Sequence, residues 1–81
     1  MELKIGRVVR SSAGRDKDKY LAIVGFDGDN ILVCEGKERP LERPKAKNPK
    51  HIELTDRILD EAEMSTNRRL KKALSQNYEK L

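Results

Sequence analysis

Aromatic side chains are scarce in this sequence, and that scarcity limits how it can recognise other molecules. The 81 residues include no tryptophan, two tyrosines and one phenylalanine. Sequence-specific recognition of single-stranded RNA usually stacks bases on exposed aromatic rings. Because Tyr20 and Phe26 bound one apolar segment, we expect both to be core residues. Base stacking is therefore not favoured as a mode of binding.

Cysteine and histidine each occur once, as Cys34 and His51. One thiol excludes an intramolecular disulfide, and the apolar run 30–34 predicts that Cys34 is a buried core thiol. The sequence has no metal-ligand spacing, no phosphate-cradling glycine loop and no Ser-His-Asp arrangement. We therefore expect a protein that is not an enzyme and that needs no metal or cofactor.

Long hydrophobic runs are also missing. No segment is apolar for long enough to span a bilayer, and no signal-like segment is present. Together with the single cysteine, this composition predicts a cytoplasmic protein with no membrane partner.

Charge, in contrast, is abundant and unevenly distributed. Charged residues make up 40% of the chain, and the formal net charge is +4. Residues 1–52 carry 12 Lys/Arg against 8 Asp/Glu, whereas residues 53–81 carry 6 of each. The net positive charge thus lies in the first part of the chain, where it favours a polyanionic partner.

Short apolar segments in the first part predict four or five β-strands. Turn residues at 27–30 and 35–37 separate them, and Pro40 predicts either an edge strand or a strand interruption. Many short strands with small turns favour a strongly curved sheet, because an open one would leave its edges exposed. We expect a mainly β fold, a small SH3-like barrel over residues 1–54, with strands near 3–10, 20–26, 31–34, 38–43 and 51–54.

After residue 54 the apolar period changes from two to about four, which predicts a helical extension over residues 55–81 packed on the barrel. Thr55 is a candidate N-cap, and Ser65 or Thr66 is a second one. The first helix is short, with an apolar face at Ile58, Leu59 and Ala62 and an acidic face at Asp56, Asp60, Glu61 and Glu63. The second is longer, with an apolar stripe at Leu70, Ala73, Leu74, Tyr78 and Leu81.

Basic side chains form two groups that could follow a phosphate backbone. The first lies on the first strand and its loop, at Arg7, Arg10, Arg15, Lys17 and Lys19, and the second on the connector, at Arg43, Lys45, Lys47 and Lys50. The alternative is a solvated charged surface in which Asp16 and Asp18 pair locally. A third group, Arg68, Arg69, Lys71 and Lys72, is either a further RNA contact or the solvated side of the second helix.

The segment 6–24 resembles the KOW motif, and most of the chain is similar to the small bacterial KOW-domain RNA-binding proteins. These are related to the L-fourteen-e type of large-subunit ribosomal protein. The resemblance is carried by Ser-Ala-Gly-Arg-Asp-Lys at 12–17, Pro-Lys-His at 49–51 and Leu-Lys-Lys-Ala-Leu at 70–74. It implies an SH3-like barrel that binds structured RNA, and it adds Ser12, Gly14 and His51 to the candidate RNA contacts.

Asp18 departs from the family pattern, which usually has glycine after the loop lysine. Aspartate is one of the few other residues that tolerate the left-handed backbone region, so we expect the turn to survive. Its carboxylate should weaken phosphate contact in the loop by repulsion.

From these features we expect a monomer that binds structured RNA without catalysis. The expected target is ribosomal or ribosome-associated RNA, with ribosomal proteins as further partners and a role in translation. The alternative is a protein-interaction module, an SH3-like adaptor that recruits a protein through its C-terminal helix stripe or an edge strand.

Overall fold

The computed structural model describes residues 2–75, which form one antiparallel sheet and one helix. The strands lie side by side in the order β4-β3-β2-β1-β5, and a short 3-10 turn, Pro49–His51, precedes β5. The predicted mainly β fold with about five strands is confirmed. The elements are β1 Arg7–Ser11, β2 Tyr20–Asp27, β3 Asn30–Cys34, β4 Lys45–Lys47, β5 Ile52–Ile58 and α1 Asn67–Leu74.

The strand register contains two irregularities that bend the sheet. In the β1–β5 ladder the register shifts between Arg7 and Val9, and in the β2–β3 ladder it shifts between Ile23 and Gly25. Such bulges increase the local twist and turn the strand out of a flat path. Within residues 2–75 no ladder joins β4 to β5, so the sheet is open at these two edges.

One face of the sheet encloses an apolar cluster from four strands. Its fully buried members are Val9, Leu21, Ile23, Ile31 and Val33, and Ile52 and Leu54 of β5 pack against them. In strand order β3 and β5 are separated by β2 and β1. Strand β5 joins this cluster next to its neighbour β1, where Leu54 pairs with Val9.

The other face is covered by α1. Leu70, Ala73 and Leu74 pack on Val8 and Ala22 in a second buried cluster, which also includes Cys34 and Leu59. Of the two predicted cap candidates, Ser65 and Thr66, the cap is Thr66, whose side chain accepts a hydrogen bond from the Arg69 amide. Tyr78 and Leu81, the remaining members of the predicted stripe, lie outside the described residues.

Cys34 is buried within this second cluster, as predicted. Burial, followed by the negative charges of Glu35 and Glu42, raises the pKa of its thiol to about 11. A thiol with so high a pKa stays protonated near neutral pH and is a poor nucleophile.

The prediction of a short helix beginning at Thr55 is wrong, because this segment extends β5 to Ile58. The Thr55 hydroxyl donates to the Val8 carbonyl oxygen at 2.8 Å, beside the bulge. The predicted acidic helix face is therefore also wrong. Only a turn follows the strand, closed by reciprocal hydrogen bonds between Asp60 and Glu63.

Three further expectations change in detail. Phe26, predicted to be a core residue, is 50% exposed near the tip of the β2–β3 hairpin. Residues 3–6 precede β1 as a turn, in which the Arg7 amide donates to the Lys4 carbonyl. The segment 38–43 is an interruption without strand structure, and the basic connector contains β4.

Within residues 2–75 no helix is both long and apolar enough to cross a bilayer.

Candidate nucleic-acid interface

The β1–β2 loop, residues 12–19, is held against the 45–51 segment. The Ser12 amide donates to the His51 carbonyl at 2.9 Å, and Lys47 Nζ donates to the Ala13 carbonyl at 3.3 Å. The two basic groups, far apart in the sequence, therefore lie side by side. This contact joins them at the end of the sheet where β1 finishes and β5 starts.

Asp16 is the acidic anchor of the loop. Its side chain is only 5% exposed and lies 3.3 Å from Lys45 Nζ and 3.8 Å from Arg39 Nε. Arg39 Nε is itself buried and has no hydrogen-bond partner among the described residues. Asp16 thus connects the loop to Lys45 of β4 and to Arg39 in the segment between β3 and β4. The expectation of local pairing within the loop did not include these two links.

The loop backbone turns at Gly14 and Asp18. Gly14 has φ +78°, and Asp18 has φ 72° as the one non-glycine residue in 2–75 with a positive φ. The Asp18 amide donates to the Ser11 carbonyl at 2.7 Å, which closes the base of the loop. The expectation that aspartate accommodates the turn at this position is confirmed.

Two of the predicted RNA contacts are buried and engaged in structural hydrogen bonds. The Arg7 guanidinium donates to the Glu2 carbonyl at 3.1 Å and to the Thr55 carbonyl at 3.2 Å. Lys47 is buried, with its ammonium directed to Ala13. Both side chains hold neighbouring segments together and contribute little to the exposed surface.

Arg10 and Lys19 are exposed but paired with carboxylates. Arg10 lies 2.6 Å from Asp18 and 3.0 Å from Glu53, and the hydrogen bond to Glu53, followed by the charge of Asp18, raises the pKa of Arg10. Lys19 pairs with Glu38 at 2.8 Å, which raises the pKa of Lys19 and lowers that of Glu38. Exposed pairs of this kind contribute little to stability, so a phosphate can replace the carboxylate partner.

Four predicted cations are left uncompensated. Arg15, Lys17, Arg43 and Lys50 are all exposed or largely exposed, and within residues 2–75 none of them forms an ion pair. Ser12, Gly14 and His51 are exposed between them. We define the basic surface as Arg10, Ser12, Gly14, Arg15, Lys17, Lys19, Arg43, Lys45, Lys50 and His51.

A cleft beside the basic surface brings in one residue of the third basic group. Lys71 of α1 lines an open cleft of about 490 Å³ together with Arg10, Lys19 and the half-buried Tyr20. Sequence reasoning did not connect Lys71 to the loop. Helical spacing shows which residues face away from the apolar stripe, but it does not show which strand end the helix passes.

Within residues 2–75 no group of three or more His, Cys, Asp or Glu side chains is placed to hold a metal ion. No protein-family model matches the chain, and no curated protein matches it significantly. The family resemblance therefore depends on the motif residues named above.

Proposed function

We propose that this protein binds structured RNA through the basic surface. One observation carries the proposal. The β1–β2 loop and the 45–51 segment are held together by partnered groups, Asp16, Lys45 and Lys47. Beside them Arg15, Lys17 and Lys50 are exposed and, within residues 2–75, have no acidic partner. Unpaired cations on backbone segments that are held in place favour a polyanion with a defined shape.

The contacts in this proposal go to phosphates and sugars. Among residues 2–75, Tyr20 is the aromatic residue that lines the cleft beside the basic surface, and it is half-buried. Gly14 lies at the exposed turn, and a Cβ built there would have nothing within 4 Å, so an RNA backbone has room to approach the loop closely. Ser12 and His51 add further hydrogen-bonding groups. This combination suits recognition by shape better than by base identity.

The proposal includes a finer description of the fold and target. The curved sheet is proposed to close into an SH3-like barrel of the KOW type. Supporting this are the apolar cluster to which both β3 and β5 contribute, the 3-10 turn between β4 and β5 and the contacts of the loop with β4 and with that turn. The proposed target is ribosomal or ribosome-associated RNA, which places the protein in the cytoplasm as a non-catalytic component of translation.

The adaptor alternative loses one of its two supports. Leu70, Ala73 and Leu74 are buried against the sheet, so α1 cannot offer this part of its stripe to a partner without leaving the fold. We therefore do not propose recruitment through the helix stripe.

The test is a charge-removal series with RNA. We expect the triple substitution Arg15→Ala, Lys17→Ala and Lys19→Ala to weaken binding of a labelled ribosomal RNA fragment by about tenfold or more. The slope of log Kd against log salt should fall by about 2 to 3, roughly one for each cation that contacts a phosphate. Fluorescence anisotropy at several salt concentrations measures both quantities.

The matched control removes the same charge elsewhere. Lys4, Arg68 and Arg69 are exposed cations outside the basic surface, and their replacement by alanine should change the slope much less. An unchanged slope in the loop variant, or equal losses in the two variants, would rule out the loop as the RNA site. Circular dichroism verifies that both variants are folded.

A further inference from the structure

A second exposed surface lies at the opposite end of β5 from the basic surface. Ile5 is 57% exposed, Ile58 is 44% exposed, and Leu3 is 38% exposed. The backbone of Gly6 connects the 3–6 segment to the end of β5. The Leu59 amide donates to the Gly6 carbonyl and the Gly6 amide donates to the Ile23 carbonyl, each at 2.8 Å. Large apolar side chains from two distant parts of the chain are thus exposed at one place.

Gly6 allows this close approach. A Cβ built on Gly6 would lie 3.3 Å from Ile58 Cγ2 and 3.6 Å from Met64 Sδ. The side chains of Ile58 and Met64 therefore lie directly beside the Gly6 backbone. Ile5, the neighbour of Gly6 in the chain, and Ile58 are thus exposed close to each other.

The same place carries an excess of carboxylates. Residues 56–63 contain four acids and one base, and that base, Arg57, is paired with Glu63 at 3.1 Å. Asp56, Asp60 and Glu61 are exposed, and within residues 2–75 none of them is in an ion pair.

Other cations in this part of the fold form no ion pair with these acids. Lys4 is exposed and, among the described residues, forms no ion pair. Arg68, Arg69 and Lys72 line an open cleft with Asp60 and Glu63 but are not ion-paired with them. Asp56 and Glu61 do not line that cleft, and their exposed carboxylates are available to a ligand.

We propose that a basic segment of another protein binds the apolar–acidic surface and covers its exposed isoleucines with apolar side chains. This surface consists of Leu3, Ile5, Ile58, Asp56, Asp60 and Glu61. RNA and anionic membranes are repelled by the three carboxylates. A basic segment with apolar residues satisfies both features, because it neutralises the acids and covers the isoleucines.

A second copy of this chain is a less suitable ligand for the apolar–acidic surface than a basic segment of another protein. Its basic surface has the required charge, but residues 11–19 contain no apolar side chain larger than Ala13. Such a contact would leave Ile5 and Ile58 uncovered. The apolar component thus favours a different protein.

RNA and the protein segment can bind at the same time. Strand β5 starts at Ile52, which pairs with Ser11, and ends at Ile58, which pairs with Arg7. Seven residues of β-strand span about 20 Å, so the two surfaces are separated by roughly that distance.

The test uses a labelled helical peptide of leucine and lysine as the probe, with the full-length protein. We expect binding in which NMR amide shifts concentrate at residues 3–6 and 56–64. The double substitution Ile5→Ser and Ile58→Thr should weaken binding by about tenfold. Asp56→Asn with Glu61→Gln should weaken it by about threefold and reduce its salt dependence.

Three controls separate this surface from simple charge attraction. A lysine–serine peptide and a leucine–glutamate peptide should bind much more weakly than the probe. The Arg15→Ala, Lys17→Ala, Lys19→Ala variant should bind the probe as tightly as the unchanged protein.

The proposal is overturned if the lysine–serine peptide binds equally well, if the shifts map to the basic surface, or if sedimentation shows self-association through Ile5 and Ile58. If the Ile5→Ser, Ile58→Thr variant does not fold, the Asp56→Asn, Glu61→Gln variant tests the proposal. Asp56 and Glu61 are exposed and form no ion pair within residues 2–75, so an undiminished affinity of this variant for the probe would also overturn the proposal.

Discussion

The two ends of β5 differ in which charges are left without partners. Near its start the acids are paired, since Asp16 and Asp18 both form ion pairs with basic residues. Cations such as Arg15 and Lys17 are exposed there and form no ion pair within residues 2–75. At its end the opposite holds, because Arg57 is paired and carboxylates such as Asp56 remain. A formal net charge of +4 therefore conceals two surfaces of opposite sign, each suited to a different kind of partner.

The two ends also differ in how tightly the backbone is packed. Gly6 and Gly14 both have positive φ, +94° and +78°. A Cβ on Gly6 would lie 2.7 Å from the Leu59 carbonyl oxygen, whereas one on Gly14 would meet nothing within 4 Å. The apolar–acidic end is thus closely packed, and the basic end has room for a ligand.

The largest effect is expected from alanine at these two glycines. Gly6→Ala adds a clash with backbone to the cost of a left-handed conformation, and we expect it to lower the free energy of unfolding by about 2 to 4 kcal/mol. Gly14→Ala should cost about 1 to 2 kcal/mol, the conformational part alone. Urea unfolding of both variants measures the difference. Equal losses would mean that the contact around Gly6 relaxes freely.

A smaller loss of stability is expected at Asp16. Asp16→Asn removes the charge that faces Lys45 and Arg39, and we expect a cost of about 1 to 2 kcal/mol, limited because both cations retain contact with water. Asp18→Asn is the matched control in the same loop. Asp18 is exposed and asparagine tolerates a positive φ, so its cost should stay below about 0.5 kcal/mol. If Asp18→Asn proves the more damaging in urea, Asp16 is not the anchor of the loop.

The smallest effect should appear in RNA binding. Asp18→Asn frees Arg10 from one carboxylate and removes a negative charge beside the proposed phosphate path, and we expect affinity to rise about two- to threefold at low salt. Glu61→Gln removes the same charge from the apolar–acidic surface and should leave RNA affinity unchanged. Anisotropy titrations of the two variants compare the ends directly, and equal gains would show that only total charge matters.

The sequence predicted those elements whose signals are local. The apolar run of β2, the turn residues before β3 and the Thr66 cap each act within a few residues, and each was predicted close to its observed position. The prediction of a short helix beginning at Thr55 failed because the spacing of Ile58, Leu59 and Ala62 also suits a strand end followed by a turn. Pairing with β1 decided between the two, and that pairing is not a local property.

For the candidate RNA contacts, the sequence shows which lysines and arginines lie in the loop and the connector. It does not show which of them are exposed. Their burial could not be read from the sequence, since Arg7 and Lys47 are turned to backbone carbonyls of other segments. Strand β4 was missed for a related reason: Lys45–Lys47 has no apolar pattern and is a strand only because it pairs with β3.

The sequence by itself determined the turn chemistry, the core segments and the number of charges. Asp18 adopts the left-handed conformation because of its own side chain and its neighbours in the loop. The tertiary structure decided which charges are compensated, because a salt bridge depends on the distance between segments that are far apart in the chain. The positive surface at one end of β5 and the negative surface at the other exist only after the sheet has brought Asp16 to Lys45 and Gly6 to Ile58.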